Sequence, residues 1–503
     1  MPRLNPLDLP HIRETIGRNL NGRHLLNALQ VNSEWCQSLL PSVWSSINVH
    51  PPQDGYGYDQ QPPPYNDIET LIRHQHLVKS IYQTDGFLMD HQHCLTFPNL
   101  ERIRVYLDRF EPFPTTLLLH HARLTHLDFE GRADRPGSFS WAPLMHLSHL
   151  KSMRLVDVVV DISEANHFWT TVSKLDRLEL QSNHLFGTDP IIPIMLNNLV
   201  FPSLKTVVML DSDSLPLETR LLWMSHCPNL ISFEWKPYPE TQSAARSVLR
   251  QLVRLLETRT TWRLLQDLIL ERLPATDEQI AAILQNIPRL RKLGLADVIF
   301  GAASFQALRI HFHCLEDLSV SSDAAQHCYE FETGPLLINI LASCPKLNSF
   351  MTGSLRGHDI LKSPKRWACE QSLEYLGADI DIPPGSMVEQ QQHDIFERLS
   401  HLTRLKFLDI SDGHGMNLGT LDLTLDKGLH YLASWTRLES IFFCGTQQSM
   451  TEAEIDWILQ HWKSLKMFIG EPSRHWEYSL QLEEKLQRHG IKVDSDHIAC
   501  SVL

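Results

Sequence analysis

A short hydrophobic pattern recurs along most of this 503-residue chain. In each copy a leucine is followed by two variable residues, an apolar residue, one further variable residue and usually a third apolar residue, as in Leu124-x-x-Leu127-x-Phe129. The leucines that open the copies are Leu100, Leu124, Leu150, Leu175, Leu204, Leu230, Leu265, Leu290, Leu315, Leu347, Leu373, Leu405, Leu438 and Leu465. The chain is therefore an array of similar units.

Each copy of the pattern predicts one strand, because apolar residues two positions apart lie on the same face of a strand. Between strands, several segments predict helices. Thr276-Asp277-Glu278-Gln279 and Thr451-Glu452-Ala453-Glu454 have the sequence of a capping box, and apolar residues at helical spacing follow each of them. One strand and one helix per unit predict an α/β array with parallel strands on one side and helices on the other, in which stacking buries the apolar faces.

The pattern and its period resemble those of leucine-rich repeats. The resemblance covers residues 75–490 and implies a solenoid with parallel strands on its concave face and helices outside, followed by a C-terminal cap or tail at 491–503. Val78-x-x-Ile81 is an earlier, degenerate copy of the pattern. The irregular spacing is more similar to the divergent, helix-containing repeats of F-box proteins than to short extracellular repeats.

The first fifty residues have a different period, which predicts three short helices within residues 4–48. Their apolar positions are Ile12, Ile16 and Leu20, then Leu25, Leu26 and Leu29, then Trp35, Leu39 and Leu40. Pro10 suits the first turn of the first helix. Such a small helical unit buries little core by itself and depends on a partner or on the domain that follows.

This helical segment resembles an F-box, a motif that docks on the Skp adaptor of a cullin-RING ubiquitin ligase. The chain as a whole is similar to fungal F-box-like proteins with divergent leucine-rich repeats. The resemblance implies a Skp-type adaptor as partner, and through it a cullin-RING ligase. The adaptor-binding residues that it implies are Leu9, Pro10, Ile12, Ile16, Leu25, Leu26, Val31 and Trp35.

Proline and glycine dominate the segment that follows the helices, so residues 49–74 are interpreted as a linker or loop between two domains. The run Gln60-Gln61-Pro62-Pro63-Pro64 leaves a polyproline ligand motif open as an alternative.

The net charge of −14 disfavours a nucleic-acid partner, which usually requires a basic footprint. The N-terminus shows no apolar signal region, and the most apolar stretch, 191–201, is far short of the roughly 20 residues of a membrane helix. Nine cysteines without a CxxC spacing argue against a disulfide framework. We therefore expect no membrane association and a cytoplasmic or nuclear location.

No common catalytic motif is present, and we expect neither enzymatic activity nor a cofactor. His91-Gln92-His93-Cys94 and His311-Phe312-His313-Cys314 look like metal ligands, but neither shows a second ligand pair at zinc-site spacing. Both are therefore expected to have a structural or surface role, and no metal site is predicted. An enzyme using these histidines and cysteines is the remote alternative.

Side chains two, four and six residues after each pattern leucine should form the concave face, where solenoids bind their partners. Acids outnumber bases in this set, and aromatic and apolar residues gather in its last copies. The predicted target-binding residues are Tyr375, Phe407, Asp409, Phe442, Met467 and Ile469. They predict a protein target with apolar anchors and basic residues, unless a loop or the C-terminal cap covers them.

These patterns together predict a non-catalytic substrate receptor of a Skp-cullin-F-box type ubiquitin ligase. The alternative is a leucine-rich-repeat scaffold or inhibitor without adaptor binding, whose N-terminal helices only cap the solenoid.

Overall fold

The computed structural model describes residues 7, 9–20, 22–49, 68–83, 94–106, 118, 120–121, 123–131, 137–138, 140–185, 196, 199–210, 222–237, 249–250, 252–254, 256, 262–273, 275–321, 330–364, 366–382, 388–411, 421–446 and 448–494. The chain divides into two compact units, Met1–Leu230 and Ile231–Leu503. Each unit is described by itself.

Three helices open the first unit, as the sequence predicts: α1 (Pro10–Asn19), α2 (Gly22–Leu29) and α3 (Ser33–Trp44). Pro10 occupies the first turn of α1, and Asn32 caps α3 by accepting a hydrogen bond from the Trp35 N–H at 2.9 Å. Gly17 lets α1 approach α3 closely, because a Cβ at this position would lie 2.6 Å from Cδ2 of Leu39.

The strands of the first unit form a parallel sheet in which neighbours follow one another along the chain. In order they are β1 (Ser46–Val49), β2 (Ser80–Gln83), β3 (Arg102–Tyr106), β4 (His126–Glu130), β6 (Ser152–Val156), β8 (Arg177–Gln181) and β10 (Thr206–Leu210). A second small sheet contains β5 (Gly137–Ser138), β7 (Val158–Val160) and β9 (His184–Leu185). Helices α4 (Ile68–His74) and α5 (Ala165–Val172) belong to the same unit, with 3-10 turns at Gln75–Leu77, Ala142–His146 and Ile162–Glu164.

The repeat array begins earlier than residue 75, because β1 is already a repeat strand. Trp44 and Ile47 take the places of the pattern leucine and the second apolar residue, at 5% and 0% exposure. The Ser45 carbonyl accepts hydrogen bonds from the N–H groups of Lys79 and Ser80, both at 2.9 Å. The same fork recurs at later repeats, where the Lys79 carbonyl accepts from Glu101 and Arg102.

The predicted boundaries of the linker or loop at 49–74 differ from the elements of the structure. The segment leads from the first repeat strand, β1, to the second, β2, and its last seven residues form α4, in which Leu71 is fully buried. Residues 51–67, including the proline run, lie outside the described residues.

The second unit repeats the arrangement with parallel strands paired in chain order. They are β11 (Ser232–Lys236), β12 (Asp267–Glu271), β13 (Lys292–Ala296), β14 (Asp317–Ser321), β15 (Ser349–Arg356), β16 (Tyr375–Asp381), β17 (Phe407–Asp409), β18 (Ser440–Phe442), β19 (Met467–Ile469) and β20 (Lys492–Asp494). Its helices are α6 (Asp277–Asn286), α7 (Ala302–Leu308), α8 (Glu330–Ser343), α9 (Gly357–Lys362), α10 (Val388–Leu399), α11 (Glu452–His461) and α12 (Trp476–Arg488), with 3-10 turns at Arg309–His311 and Leu429–Ser434.

The hydrophobic pattern forms the core of both units. Every pattern leucine is buried, from Leu100 at 1% exposure to Leu465 at 7%, and so is the apolar residue three positions after it. Both predicted capping boxes are present, at Thr276 and at Thr451. Each unit therefore has the predicted α/β leucine-rich-repeat solenoid fold.

The C-terminal cap begins before its predicted boundary at residue 491. Helix α12 packs Leu482 and Leu486 into the core, and β20 then pairs with β19 as a further repeat strand. Residues 495–503 lie outside the described residues.

Candidate functional site

The N-terminal helices carry apolar side chains that their own packing leaves partly exposed. Val31 is 62% exposed and Pro10 is also exposed, although both are apolar. The other members are half-buried, and we call the whole set the N-terminal surface: Leu9, Pro10, Ile12, Ile16, Leu26, Val31 and Trp35. Exposed apolar residues on several neighbouring elements are typical of protein-binding surfaces.

Leu25 does not belong to this surface, although the F-box resemblance implies it. Its side chain is 7% exposed and points inward, with Cδ1 3.6 Å from the position that a Cβ on Gly17 would take. Leu25 is therefore a core residue of the three helices.

A charge-assisted contact fixes α1 against the start of α3. The buried Arg13 donates a hydrogen bond to Oε2 of Glu34 at 2.9 Å, while Glu34 itself is mostly exposed. The contact holds the helices in place without using the apolar side chains of the N-terminal surface.

The second candidate region is the open face of each sheet, formed by strand side chains that alternate with buried ones. In the first unit this face carries ion pairs between adjacent strands. Arg104 on β3 pairs with Glu130 on β4, and Arg154 on β6 donates to Glu179 on β8 at 2.7 Å. Arg177 also contacts Glu179, at 3.0 Å.

Basic side chains of this face compensate the negative charge of Asp128. Burial raises the pKa of the Asp128 carboxyl, and the guanidinium groups of Arg154, Arg102 and Arg104 oppose that rise. The acids of this face thus have basic neighbours within the same protein.

The first strands of the second unit follow the same rule. Lys236 lies between Glu234 at 3.1 Å and Glu271 at 3.0 Å, and Lys292 pairs with Asp317 at 3.0 Å. The predicted excess of acids is therefore largely neutralised by ion pairs and does not make the whole face acidic.

The open face changes character from β15 onward, where apolar side chains replace the ion pairs. Tyr375 and Phe407 occupy paired positions on β16 and β17, with ring centroids 6.2 Å apart and planes inclined by 33°. Phe407 is 37% exposed. Ser440 follows in the same row and is buried, with Phe407 on one side and Met467 on the other.

The adjacent row places a carboxylate beside these rings. Gly377, Asp409 and Phe442 pair in order across β16, β17 and β18. Gly377 has no side chain, and the Tyr375 ring lies over it, with the hydroxyl oxygen 3.4 Å from the position that a Cβ would take. Burial raises the pKa of Tyr375, and the Asp409 carboxylate adds to the rise. Asp409 Oδ1 accepts the Ser411 N–H at 3.0 Å.

Five of the six predicted target-binding residues thus lie on neighbouring strands with partly exposed side chains. The sixth, Ile469, is only 7% exposed, so its place in the predicted site is corrected. It sits between Phe442 on one strand and Asp494 on the other, because β20 continues the sheet beyond β19.

Sequence reasoning missed Met351, which is partly exposed and pairs with Gly377. The signal was its position four residues after Leu347, in a copy whose third apolar place is Thr352. We call the resulting set the C-terminal patch: Met351, Tyr375, Phe407, Asp409, Phe442 and Met467.

The histidine and cysteine motifs do not form a reactive centre in the described residues. His311 is buried, accepts the Leu290 N–H at 3.2 Å on Nδ1 and lies 3.2 Å through Nε2 from the Leu284 carbonyl. Burial lowers its pKa, and burial raises the pKa of the Cys344 and Cys369 thiols to about 12. His91 and His93 lie outside the described residues, while Cys94 is exposed.

Across the described ranges, no group of three or more histidines, cysteines or acids is placed to hold a metal ion. In the same ranges, no helix is both long and apolar enough to cross a membrane. Six described cysteines are free thiols, and Cys444 is disulfide-bonded.

No protein-family model matches this chain, and no curated protein matches it in sequence. Among solved structures, it aligns with a leucine-rich-repeat protein of Leptospira interrogans at 12% identity, over 86% of this chain and 100% of that chain, with a TM-score of 0.36. It aligns with the complex of Rad7 and Elc1 in yeast at 13% identity, over 80% of this chain and 82% of that chain, with a TM-score of 0.42. An internalin from Listeria monocytogenes aligns at 12% identity over 80% and 81% of the two chains, with a TM-score of 0.30. These likenesses concern the fold and assign no partner to this chain.

Proposed function

We propose that this chain is a non-catalytic substrate-recognition subunit of a Skp-cullin-F-box type ubiquitin ligase. The N-terminal surface docks on a Skp-type adaptor, and the C-terminal patch binds the target protein. One observation carries the first half of the proposal: α1 to α3 pack against each other and still leave the apolar residues of an F-box-like motif on the outside.

The direct join between α3 and the repeat array supports this role. Helix α3 ends at Trp44, which is itself the first core residue of the array, and β1 follows at once. Within the first unit, a docked adaptor would therefore have a fixed orientation relative to the first repeats. Fixed placement suits a subunit that promotes a reaction by positioning, without chemistry of its own.

The test is copurification of the full-length chain with a Skp-type adaptor. We expect the wild-type chain to retain the adaptor and the double variant Leu9→Asp/Pro10→Ala to lose it. Val31→Asp should weaken retention at least tenfold, because it places a charge in an apolar contact. Val200→Asp is the matched control, since Val200 is a comparably exposed valine (59%) in the same unit. No association of the wild-type chain would contradict the proposal.

The alternative function is a leucine-rich-repeat scaffold or inhibitor without adaptor binding. The observation that favours it is the same join at Trp44, because a helical unit continuous with β1 also covers the end of the sheet. In that case the wild-type chain would not retain the adaptor, and Leu9→Asp/Pro10→Ala would change only the stability of the first unit.

The target half of the proposal has its own test. Phe407→Ala together with Phe442→Ala removes both phenylalanine rings of the C-terminal patch, and we expect a captured target to be lost. A target that is retained by the double variant binds elsewhere.

A further inference from the structure

We propose that the C-terminal patch binds a cationic side chain, a lysine or arginine of the target, between the Tyr375–Phe407 ring pair and the Asp409 carboxylate. The inference rests on the proposed function and specifies the chemistry of its target.

The two rings and the acid lie on the adjacent strands β16 and β17. The Tyr375 ring extends over Gly377, and Gly377 is the direct register partner of Asp409. Phe407 pairs with Tyr375 and is two residues from Asp409 on the same strand. Two aromatic rings beside a carboxylate form a site where an ammonium or guanidinium group interacts with both π-faces and with a negative charge.

Asp409 differs in its ion pairing from other acids of the open face. Asp317 has Lys292 at 3.0 Å, and Glu271 has Lys236 at 3.0 Å. Within the described part of the chain, Asp409 takes part in no ion pair, and the hydrogen bond that it accepts comes from the Ser411 backbone. Its register partners are Gly377 and Phe442, and Tyr375 and Phe407 form the adjacent pair. The described residues supply no ion-pair partner for Asp409, so a cationic group of the target would complement its charge.

Arg356 is a base on β15, on the side of β16 away from β17. Arg356 pairs in register with Asp381, at the end of β16 opposite Tyr375. Burial raises the pKa of the Asp381 carboxyl, and the Arg356 guanidinium opposes that rise. A cationic side chain of the target would contact Asp409, and the partly exposed Phe442 and Met467 offer contact to an apolar residue beside it.

The test begins with a random twelve-residue peptide library displayed on phage and selected on the full-length chain, with counter-selection on the Phe407→Ala variant. We expect the selected peptides to be enriched in lysine or arginine next to an apolar residue. A synthetic copy of the strongest peptide should bind Asp409→Asn at least tenfold more weakly than wild type. It should bind the control Asp317→Asn within twofold of wild type, because Asp317 already has Lys292 as its partner.

A double-mutant cycle then localises the contact. Replacing the basic residue of the peptide by norleucine should cost the same factor as Asp409→Asn, and the two changes together should cost little more than either alone. Peptides without basic enrichment, additive losses in the cycle, or no Phe407-dependent peptide at all would each overturn the inference. Copurification of the Asp409→Asn variant with the adaptor separates the two proposals. It reports on the N-terminal surface and not on the site at Asp409.

Discussion

The open face of the first unit and the C-terminal patch are built on the same repeat but differ in the chemistry of their surfaces. The first carries ion pairs, and the second carries aromatic and apolar side chains beside an acid. Along β3 to β8, cross-strand ion pairs such as Arg154–Glu179 satisfy the charges within the chain. Around β16 to β18, the rings of Tyr375 and Phe407 lie beside an acid that the described residues leave without a cation. A paired face offers little to a ligand, because its charges already have partners, whereas an apolar face beside a single carboxylate favours an outside partner.

Core substitutions should have the largest effect on stability. That effect should be similar in the two regions, because the difference between them lies on the surface. Leu178→Ala in β8 and Leu408→Ala in β17 remove equivalent buried leucines, at 0% and 1% exposure. Each should lower the free energy of unfolding by about 2–5 kcal/mol, as is usual for truncation of a buried leucine. Urea unfolding of the full-length chain measures this. A loss below about 1 kcal/mol at either site would show that its repeat is not packed as described.

Acid should destabilise the first unit through a buried histidine at the position where other repeats have an apolar residue. His121 is 3% exposed, and burial lowers its pKa from 6.5 to about 4. The unfolded chain therefore binds a proton that the folded chain excludes, and stability falls as the pH drops below 6.5. Between pH 8 and pH 5, protonation of this histidine in the unfolded chain should lower the free energy of unfolding by about 2 kcal/mol. Urea unfolding of His121→Leu should show that much less pH dependence than wild type. An unchanged pH dependence would show that folding does not lower the pKa of His121.

The ion pairs and the patch should separate stability from binding, with the smallest effects on folding. Removing the Arg154–Glu179 interaction should cost about 0.5–1 kcal/mol in a double-mutant cycle, and added salt should diminish that cost. Phe407→Ala should lower the free energy of unfolding by about 1 kcal/mol, because the ring is 37% exposed and only its buried part packs against the protein, while it abolishes peptide binding. If Phe407→Ala lowers the free energy of unfolding by more than it lowers the free energy of peptide binding, Phe407 contributes mainly to folding.

The core of this protein was predictable from sequence because two simple periods determine it. A leucine at the start of each copy and an apolar residue three positions later must both point inward, and Leu124 and Leu127 are both fully buried. The same alternation placed Tyr375, Phe407 and Asp409 on the open face. Capping boxes at Thr276 and Thr451 were also readable, because their hydrogen bonds are local.

The errors came where one residue type replaced another or where a distant strand decided the outcome. Trp44 stands in for the pattern leucine, so the first repeat was interpreted as part of the helical unit and the segment inside it as a linker. Ile469 has the spacing of an open-face residue, but it is buried between Phe442 and Asp494 of the neighbouring strands. Leu25 fits the F-box pattern, but it is buried among the three helices.

The cross-strand ion pairs were invisible for a further reason. Arg154 and Glu179 are 25 residues apart along the chain, and only the register of β6 with β8 brings them together. Without that register the acids appeared as an excess of negative charge over the whole face. Among the described residues of the open face, Asp409 is an acid without an ion pair.

The central claim, that the N-terminal surface docks on an adaptor, is tested most directly by titrating purified Skp-type adaptor into the full-length chain in a calorimeter. The account predicts one-to-one binding with a dissociation constant below about 1 µM, as is usual for a stable complex. It also predicts that Val31→Asp abolishes the heat of binding while Val200→Asp preserves it. No heat with the wild-type chain, or equal binding by both variants, would contradict the account.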